Sequence, residues 1–454
     1  MRSGSSAARR RPLASLQRLA ALAVLLAVAA CGGSDSGSIA NIGPVAATPV
    51  TPVAPAPSSN FVALVVDHGP AALAVGPKGY VSDNVAFVTI TLCIPGTTTC
   101  QTIDHVEVDT GSVGLRIPQS VLNASLQAAL PLETDANSNP VGECFGYVDG
   151  YVFGSVRTAD FQIGGEKVAG MPLQVIGDGG QFAAVPPKCS AGGGNNLATV
   201  QALGANGVLG IGLSTADCGA RCTVAGGFSA AVYYDCPASG CSAIIARAAS
   251  ASAPFEQLPN PVAAMSVDNN GSVVSLPAVP GVGSATLSGT LYFGIGTQTN
   301  NTLGSATVLA TSSSTSSSGP GILTVVYRAQ SLADSFIDSG SNAYYFSDSS
   351  IPKCTGTNLA GFYCPTSSVT ISPVIQGHNG LSATVIFTVE SAKSQFQTNN
   401  AAVPGIGGDP AAISSFTAVP NSFDIGLPFF YGRSVYTAIE GRNAGGTVGP
   451  YIAF

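Results

Sequence analysis

From about residue 61 onward, apolar and β-branched residues come in short runs separated by Gly, Pro and Asn. That pattern predicts short strands joined by turns, not amphipathic helices. Val85 to Leu92 (VAFVTITL) predicts one strand, Cys93-Ile94-Pro95-Gly96 a turn, and Ile103 to Val108 the returning strand. Phe161-Gln162-Ile163-Gly164-Gly165 predicts another strand end and turn. Only the stretch around Ser242 to Ser252 reads as a helix, and the Ser/Thr tract Thr311 to Ser318 reads as an exposed loop. The chain is all-β on this pattern.

The first sixty residues read differently. Five arginines (Arg2, Arg9, Arg10, Arg11, Arg18) precede an apolar run from Leu19 to Ala30, too short to span a bilayer, which takes about 20 residues. This is the form of an export signal. Its end, Val28-Ala29-Ala30-Cys31, resembles a bacterial lipobox, in which the cysteine becomes the lipidated first residue of the mature chain. The resemblance implies a bacterial envelope lipoprotein, with Gly32 after the cysteine pointing to the outer membrane. Residues 1–30 are thus a signal peptide and 31–60 a lipidated tether, rich in Ser, Gly and Thr-Pro-Val repeats that favour extended, solvated chain.

Composition narrows the partners. Charged residues are 9% of the chain and the net charge is −7, so the basic surface that nucleic acid requires is missing. The 45% of hydrophobic residues supports a packed core, and 55 glycines and 30 prolines supply its turns. Setting Cys31 aside leaves ten of the 11 cysteines, an even number in an exported chain. Spacing pairs Cys93 with Cys100, Cys144 with Cys189, and Cys354 with Cys364. Cys218, Cys222, Cys236 and Cys241 have an open connectivity. Their spacing is also roughly zinc-like, but with 3 histidines in an exported chain disulfides are the better reading, and no metal is expected.

Two short motifs carry the chemistry. Asp109-Thr110-Gly111-Ser112 follows an apolar strand and precedes another, and Asp338-Ser339-Gly340-Ser341 does the same. Glycine permits a tight turn, and the hydroxyls and backbone amides can orient the carboxylate. Two such carboxylates brought together share a proton and can act as acid and base at once. A third copy, Asp35-Ser36-Gly37-Ser38, lies in the tether with no strand on either side and reads as linker. Each strand-flanked turn is followed by an apolar-apolar-Gly segment: Gly210 is 101 residues after Asp109, and Gly426 is 88 after Asp338. This is the trace of an internal duplication. The histidines His68, His105 and His378 lie in unlike contexts, with His105 four residues before Asp109.

These residues resemble the pepsin-like aspartic peptidases. The likeness runs through VTITLCIPGTTTCQTIDHVEVDTGSVGLRIP (Val88 to Pro118), NGVLGIG (Asn206 to Gly212), LYFGIG (Leu291 to Gly296) and the C-terminal DIGLPFFYGRSVYTAIEGRNAGGTVGPYIAF. The chain is also similar to a group of bacterial lipoproteins known only as a domain of unknown function, which implies no activity. The peptidase resemblance implies a bilobal, double-ψ β fold, with an N-terminal lobe over 61–278 (a Cys-rich insertion at about 214–245) and a C-terminal lobe over 279–454. It makes Asp109 and Asp338 the catalytic dyad of an aspartic endopeptidase needing no cofactor, with a polypeptide in the cleft. Thr110 and Ser339 would cross-brace the loops, Gly111 and Gly340 form their turns, and Ser112 and Ser341 donate to the carboxylates. The flap tyrosine falls on Tyr147, with Tyr151 as the alternate. Two positions depart from the family pattern: Arg116 stands where an aromatic partner of that tyrosine is usual, and Glu107 where an apolar residue is usual. A second reading keeps the fold and makes the protein a non-catalytic binding module of the envelope.

Overall fold

A computed structural model describes residues 59–454 apart from 76–81, 192–193, 220–230, 245–256, 317–318, 356–358 and 411–420. Cys31, Asp35 and Cys222 lie outside the described residues. All described residues belong to one compact unit, Ala56–Phe454.

The predicted hairpin is present and slightly longer than read. The first strands are β1 (Phe61–Val66), β2 (Ala86–Cys93), β3 (Cys100–Asp109) and β4 (Val113–Pro118). After them come β5 (Val141–Gly146), β6 (Gly150–Ile163) and β7 (Glu166–Ile176). β2 and β3 pair antiparallel from Phe87↔Glu107 to Cys93↔Cys100, with a bulge between Val88 and Ile90. β4 and the strand Gly207–Ile211 are buried at every position, which explains their nearly unbroken apolar sequence.

The duplication read from the two Asp turns is a duplication of topology. Around Asp109 the strand order is β3, then Gly207–Ile211, then β4, then β7. Around Asp338 it is Gln330–Ile337, then Asp424–Ile425, then Tyr344–Tyr345, then Gly407–Gly408. The sense of every pairing repeats as well. β3 runs parallel to Gly207–Ile211, which is antiparallel to β4, which is parallel to β7. The second set follows the same parallel, antiparallel, parallel sequence. Each Asp turn is therefore a loop between two strands with a later strand laid between them. The fold is all-β and pepsin-like, as the resemblance implied.

The halves are joined through one sheet. Gly271–Leu276 pairs with Leu287–Phe293 and with Arg433–Ala438, and Leu287–Phe293 also pairs with β1. The boundary expected at 278/279 thus falls between two hydrogen-bonded strands of a continuous sheet. One large apolar cluster runs through both halves, from Leu115 and Leu209 to Phe346 and Phe423.

Three sequence expectations are corrected. The fold takes in Ser59 and Asn60, placed in the tether: Asn60 is buried, and its amide donates to the Phe293 carbonyl at 3.0 Å. The helix expected from Ser242 is instead a strand over Ser242–Ile244, paired with Ala231–Asp235; residues 245–252 lie outside the described residues. Thr311 and Ser312, at the start of the Ser/Thr tract, are buried, and the Ser312 hydroxyl donates to the Gly319 carbonyl at 2.6 Å. His105 bonds Asp67 at 3.2 Å and Asp104 at 3.0 Å, as a strand histidine held by neighbouring carboxyls.

The disulfides Cys93–Cys100, Cys144–Cys189 and Cys354–Cys364 are those the spacing predicted. Cys236–Cys241 resolves one pair left open. Cys218 is also disulfide-bonded. No group of His, Cys, Asp and Glu able to hold a metal occurs among the described residues, and no helix among them is long and apolar enough to cross a membrane.

Candidate active site

The two Asp turns meet. Thr110 N–H donates to Ser339 Oγ at 3.1 Å, and Ser339 N–H donates to Thr110 Oγ1 at 3.0 Å. The Ser339 hydroxyl in turn donates to the Val108 carbonyl at 2.7 Å. Thr110 and Ser339 are both buried, so these bonds lock each loop to the other out of reach of water.

Within each turn the backbone orients its own carboxylate. Asp109 Oδ1 accepts from Gly111 N–H at 2.8 Å and Ser112 N–H at 3.2 Å, while Oδ2 accepts from the Ser112 hydroxyl. Asp338 Oδ1 accepts from Gly340 N–H at 2.8 Å, and Oδ2 from the Ser341 hydroxyl at 3.1 Å. The glycines are needed for the opposite turn. A Cβ on Gly111 would stand 2.6 Å from Asp338 Cγ, and one on Gly340 would stand 2.7 Å from Asp109 Oδ1. No side chain fits between them.

The Asp109 and Asp338 carboxyls lie side by side: a Cβ on Gly340 would stand 2.7 Å from Asp109 Oδ1 and 3.3 Å from Asp338 Oδ1. Burial first, then the charges of Asp109 and Asp424, push Asp338 well above the usual carboxylate range. Two carboxylates held this close cannot both be charged cheaply. Such a pair can take a proton from one group while donating to another.

A family model described as "Protein of unknown function (DUF3443)" matches residues 56–454. The chain belongs to that family. No curated protein matches it. Among solved structures it is similar to an aspartic proteinase from Irpex lacteus, at 13% identity and a TM-score of 0.45, with 87% of this chain and 96% of that chain covered.

Two further carboxyls flank the dyad. Glu107 lies two residues before Asp109 on β3 and so projects to the same face. Burial, then Asp109, Asp338 and Asp149, raise it well above its ordinary value. Asp424, which sequence reasoning missed as a site residue, lies behind Asp338. Ser341 Oγ is 3.1 Å from Asp338 Oδ2 and 2.7 Å from Asp424 Oδ2. A hydroxyl has one proton and cannot donate to two carboxylates, so one of these acids is neutral and donates to the serine. Burial, only partly offset by the bond from the Ser341 hydroxyl, raises Asp424 to about 8. In the other half the matching position, two residues before Gly210, is Val208. That contrast between the half-repeats was the available signal.

The flap hairpin is formed by β5 and β6, with Tyr147 N–H donating to the Gly150 carbonyl at 2.8 Å across its tip. The Tyr147 ring packs edge-on against Phe145 with centroids 4.9 Å apart. Its hydroxyl is buried without a hydrogen-bond partner among the described residues. Burial, opposed by Arg116 and reinforced by Asp109 and Glu107, holds that phenol protonated far above its usual range. Tyr151, the alternate, packs away from these groups against the cluster of Cys144, Phe153 and Phe182. Strand alternation sends the two tyrosines to different surroundings, and Tyr147 is the one near the dyad.

Proposed function

We propose that this protein is an envelope lipoprotein acting as an aspartic endopeptidase through Asp109 and Asp338. The observation that carries the reading is two carboxyls brought side by side, each held by its own turn and each turn braced by the other. In the working cycle the ionised carboxylate takes a proton from an attacking water. The protonated partner donates to the oxygen of the scissile carbonyl as the water oxygen bonds to its carbon, giving a gem-diol. The proton taken from water then passes to the amine nitrogen as the C–N bond breaks, and the diol returns a proton to the partner carboxylate. Tyr147, with its free hydroxyl beside the dyad, is suited to close over a bound polypeptide and exclude water. The lipobox-like Val28-Ala29-Ala30-Cys31 supports anchoring through Cys31 to the bacterial outer membrane, with residues 32–58 as spacer.

A second reading, a binding module without turnover, is favoured by Glu107 and Asp424. Four carboxyls crowd the site, and any negative charge on Glu107 or Asp424 would favour a doubly protonated dyad, which lacks the base that activates water. Incubating the purified chain with denatured protein between about pH 3 and 7, with and without a statine-type transition-state mimic, separates the two. Mimic-sensitive cleavage supports the peptidase. Absence of cleavage at every pH by folded protein supports the binding module.

A further inference from the structure

Arg116 is wholly buried on β4, where the strand pattern Val-Gly-Leu-Arg-Ile-Pro otherwise calls for an apolar side chain. A buried guanidinium is tolerated only when paired and hydrogen-bonded. Its Nη2 donates to Glu143 Oε1 at 2.6 Å and to Asp217 Oδ2 at 3.2 Å, and its Nη1 to the Val113 carbonyl at 2.8 Å. The guanidinium carbon sits 3.7 Å above the centre of the Phe145 ring. Glu143 is also wholly buried.

These partners connect three separate parts of the chain. Glu143, Phe145 and Tyr147 alternate along the outgoing arm of the flap, so they share one face. Arg116 grips the first by charge and the second by its ring, and the second packs against the third. Asp217 belongs to the Cys-rich insertion and also accepts from the Tyr233 hydroxyl at 2.7 Å. Tyr233 pairs directly opposite Glu143, because the strand Ala231–Asp235 lies alongside β5 from Ala231↔Phe145 to Asp235↔Val141. The flap arm is therefore an interior strand between β6 and the insertion, not one edge of a free two-stranded ribbon.

We propose that Arg116 is a positioning residue: with Glu143 and Asp217 it clamps the flap arm between the Asp109 half-site and the insertion, and so holds Tyr147 toward the dyad. The insertion then serves as the flap's support, and motion is confined to the tip at residues 147–149. This rests on the peptidase reading for its kinetic consequence but not for its structural one.

The test replaces the three charges together, as Arg116→Met/Glu143→Gln/Asp217→Asn, because losing the arginine alone strands two buried carboxylates and threatens folding. Amide hydrogen exchange of the full chain should accelerate about tenfold or more over residues 141–152, by local opening, with β2, β3 and Gln330–Ile337 unchanged. Exchange that is unaltered over 141–152, or that rises throughout the chain, overturns the clamp. In turnover, the triple variant should raise KM about tenfold with the shape of the pH profile retained, and add nothing further in a Tyr147→Phe background. Additive losses in that background overturn the route through Tyr147. Should the unaltered chain cleave nothing, the peptidase reading fails while the exchange result still decides the clamp.

Discussion

Thr110 and Ser339, 229 residues apart, exchange reciprocal hydrogen bonds: each backbone amide donates to the other's hydroxyl oxygen, at 3.1 and 3.0 Å. The exchange makes the position of one carboxylate depend on the loop that carries the other. Thr110→Val and Ser339→Ala each leave a buried amide without an acceptor, and each should cost about 1–3 kcal/mol. Because the bonds form one unit, the double substitution should cost less than the sum of the singles. Urea unfolding of the four proteins checks this. Full additivity would show that the loops are braced independently.

Asp424 gives a pH dependence whose sign can be worked out. Its carboxyl is raised from an ordinary 3.8 to about 8 in the folded chain. The folded state therefore holds the proton more tightly than the unfolded state does. This contribution is full below about pH 4 and is lost as pH rises toward 8. Asp424→Asn keeps a neutral polar group beside Ser341 and removes the ionisation. Thermal unfolding between pH 5 and 8 should then show a smaller fall in Tm than the unaltered protein shows. An identical fall would mean that Asp424 is not the group titrating there. Asp424→Val, which copies Val208 of the other half, should also flatten the profile but lose the Ser341 contact.

Most of the fold was legible because its elements are local. Val85 to Leu92 and Ile103 to Val108 are short β-branched runs flanking a turn, and the short disulfides Cys93–Cys100 and Cys354–Cys364 follow from proximity in sequence. The dyad was legible for a different reason: the same turn occurs twice between apolar strands. What escaped depends on pairing between distant segments. Asp424 becomes part of the site only because its strand lies parallel to Gln330–Ile337, opposite Phe336. Arg116 was visible as an anomaly, but Glu143 and Asp217 are 27 and 101 residues away and share no pattern with it. The misread helix at Ser242 shows the other limit: a short apolar run has no period long enough to distinguish strand from helix, and pairing with Ala231–Asp235 decides it.

The anchoring proposal turns on one atom, the sulfur of Cys31. Cys31→Ser should leave the protein as an unprocessed precursor or release it from the membrane fraction, while the fold beginning by Ser59 is unchanged. Fractionation and intact mass of the processed chain make the measurement. A variant that is cleaved and retained in the membrane as before would remove Cys31 from the account.

The central claim is that Asp109 and Asp338 share one proton and use it on a peptide bond. Its most direct measurement is the pH profile of polypeptide cleavage by the unaltered chain beside Asp109→Asn, Asp338→Asn and Asp35→Asn. The unaltered protein should give a bell-shaped profile on the acid side of neutrality, because activity needs the singly protonated pair. Either dyad substitution should lower turnover at least ~100-fold across the range, with the fold retained by circular dichroism. Asp35→Asn, in the copy of the motif that lacks flanking strands, should match the unaltered chain. Cleavage that survives both Asp109→Asn and Asp338→Asn would contradict the mechanism.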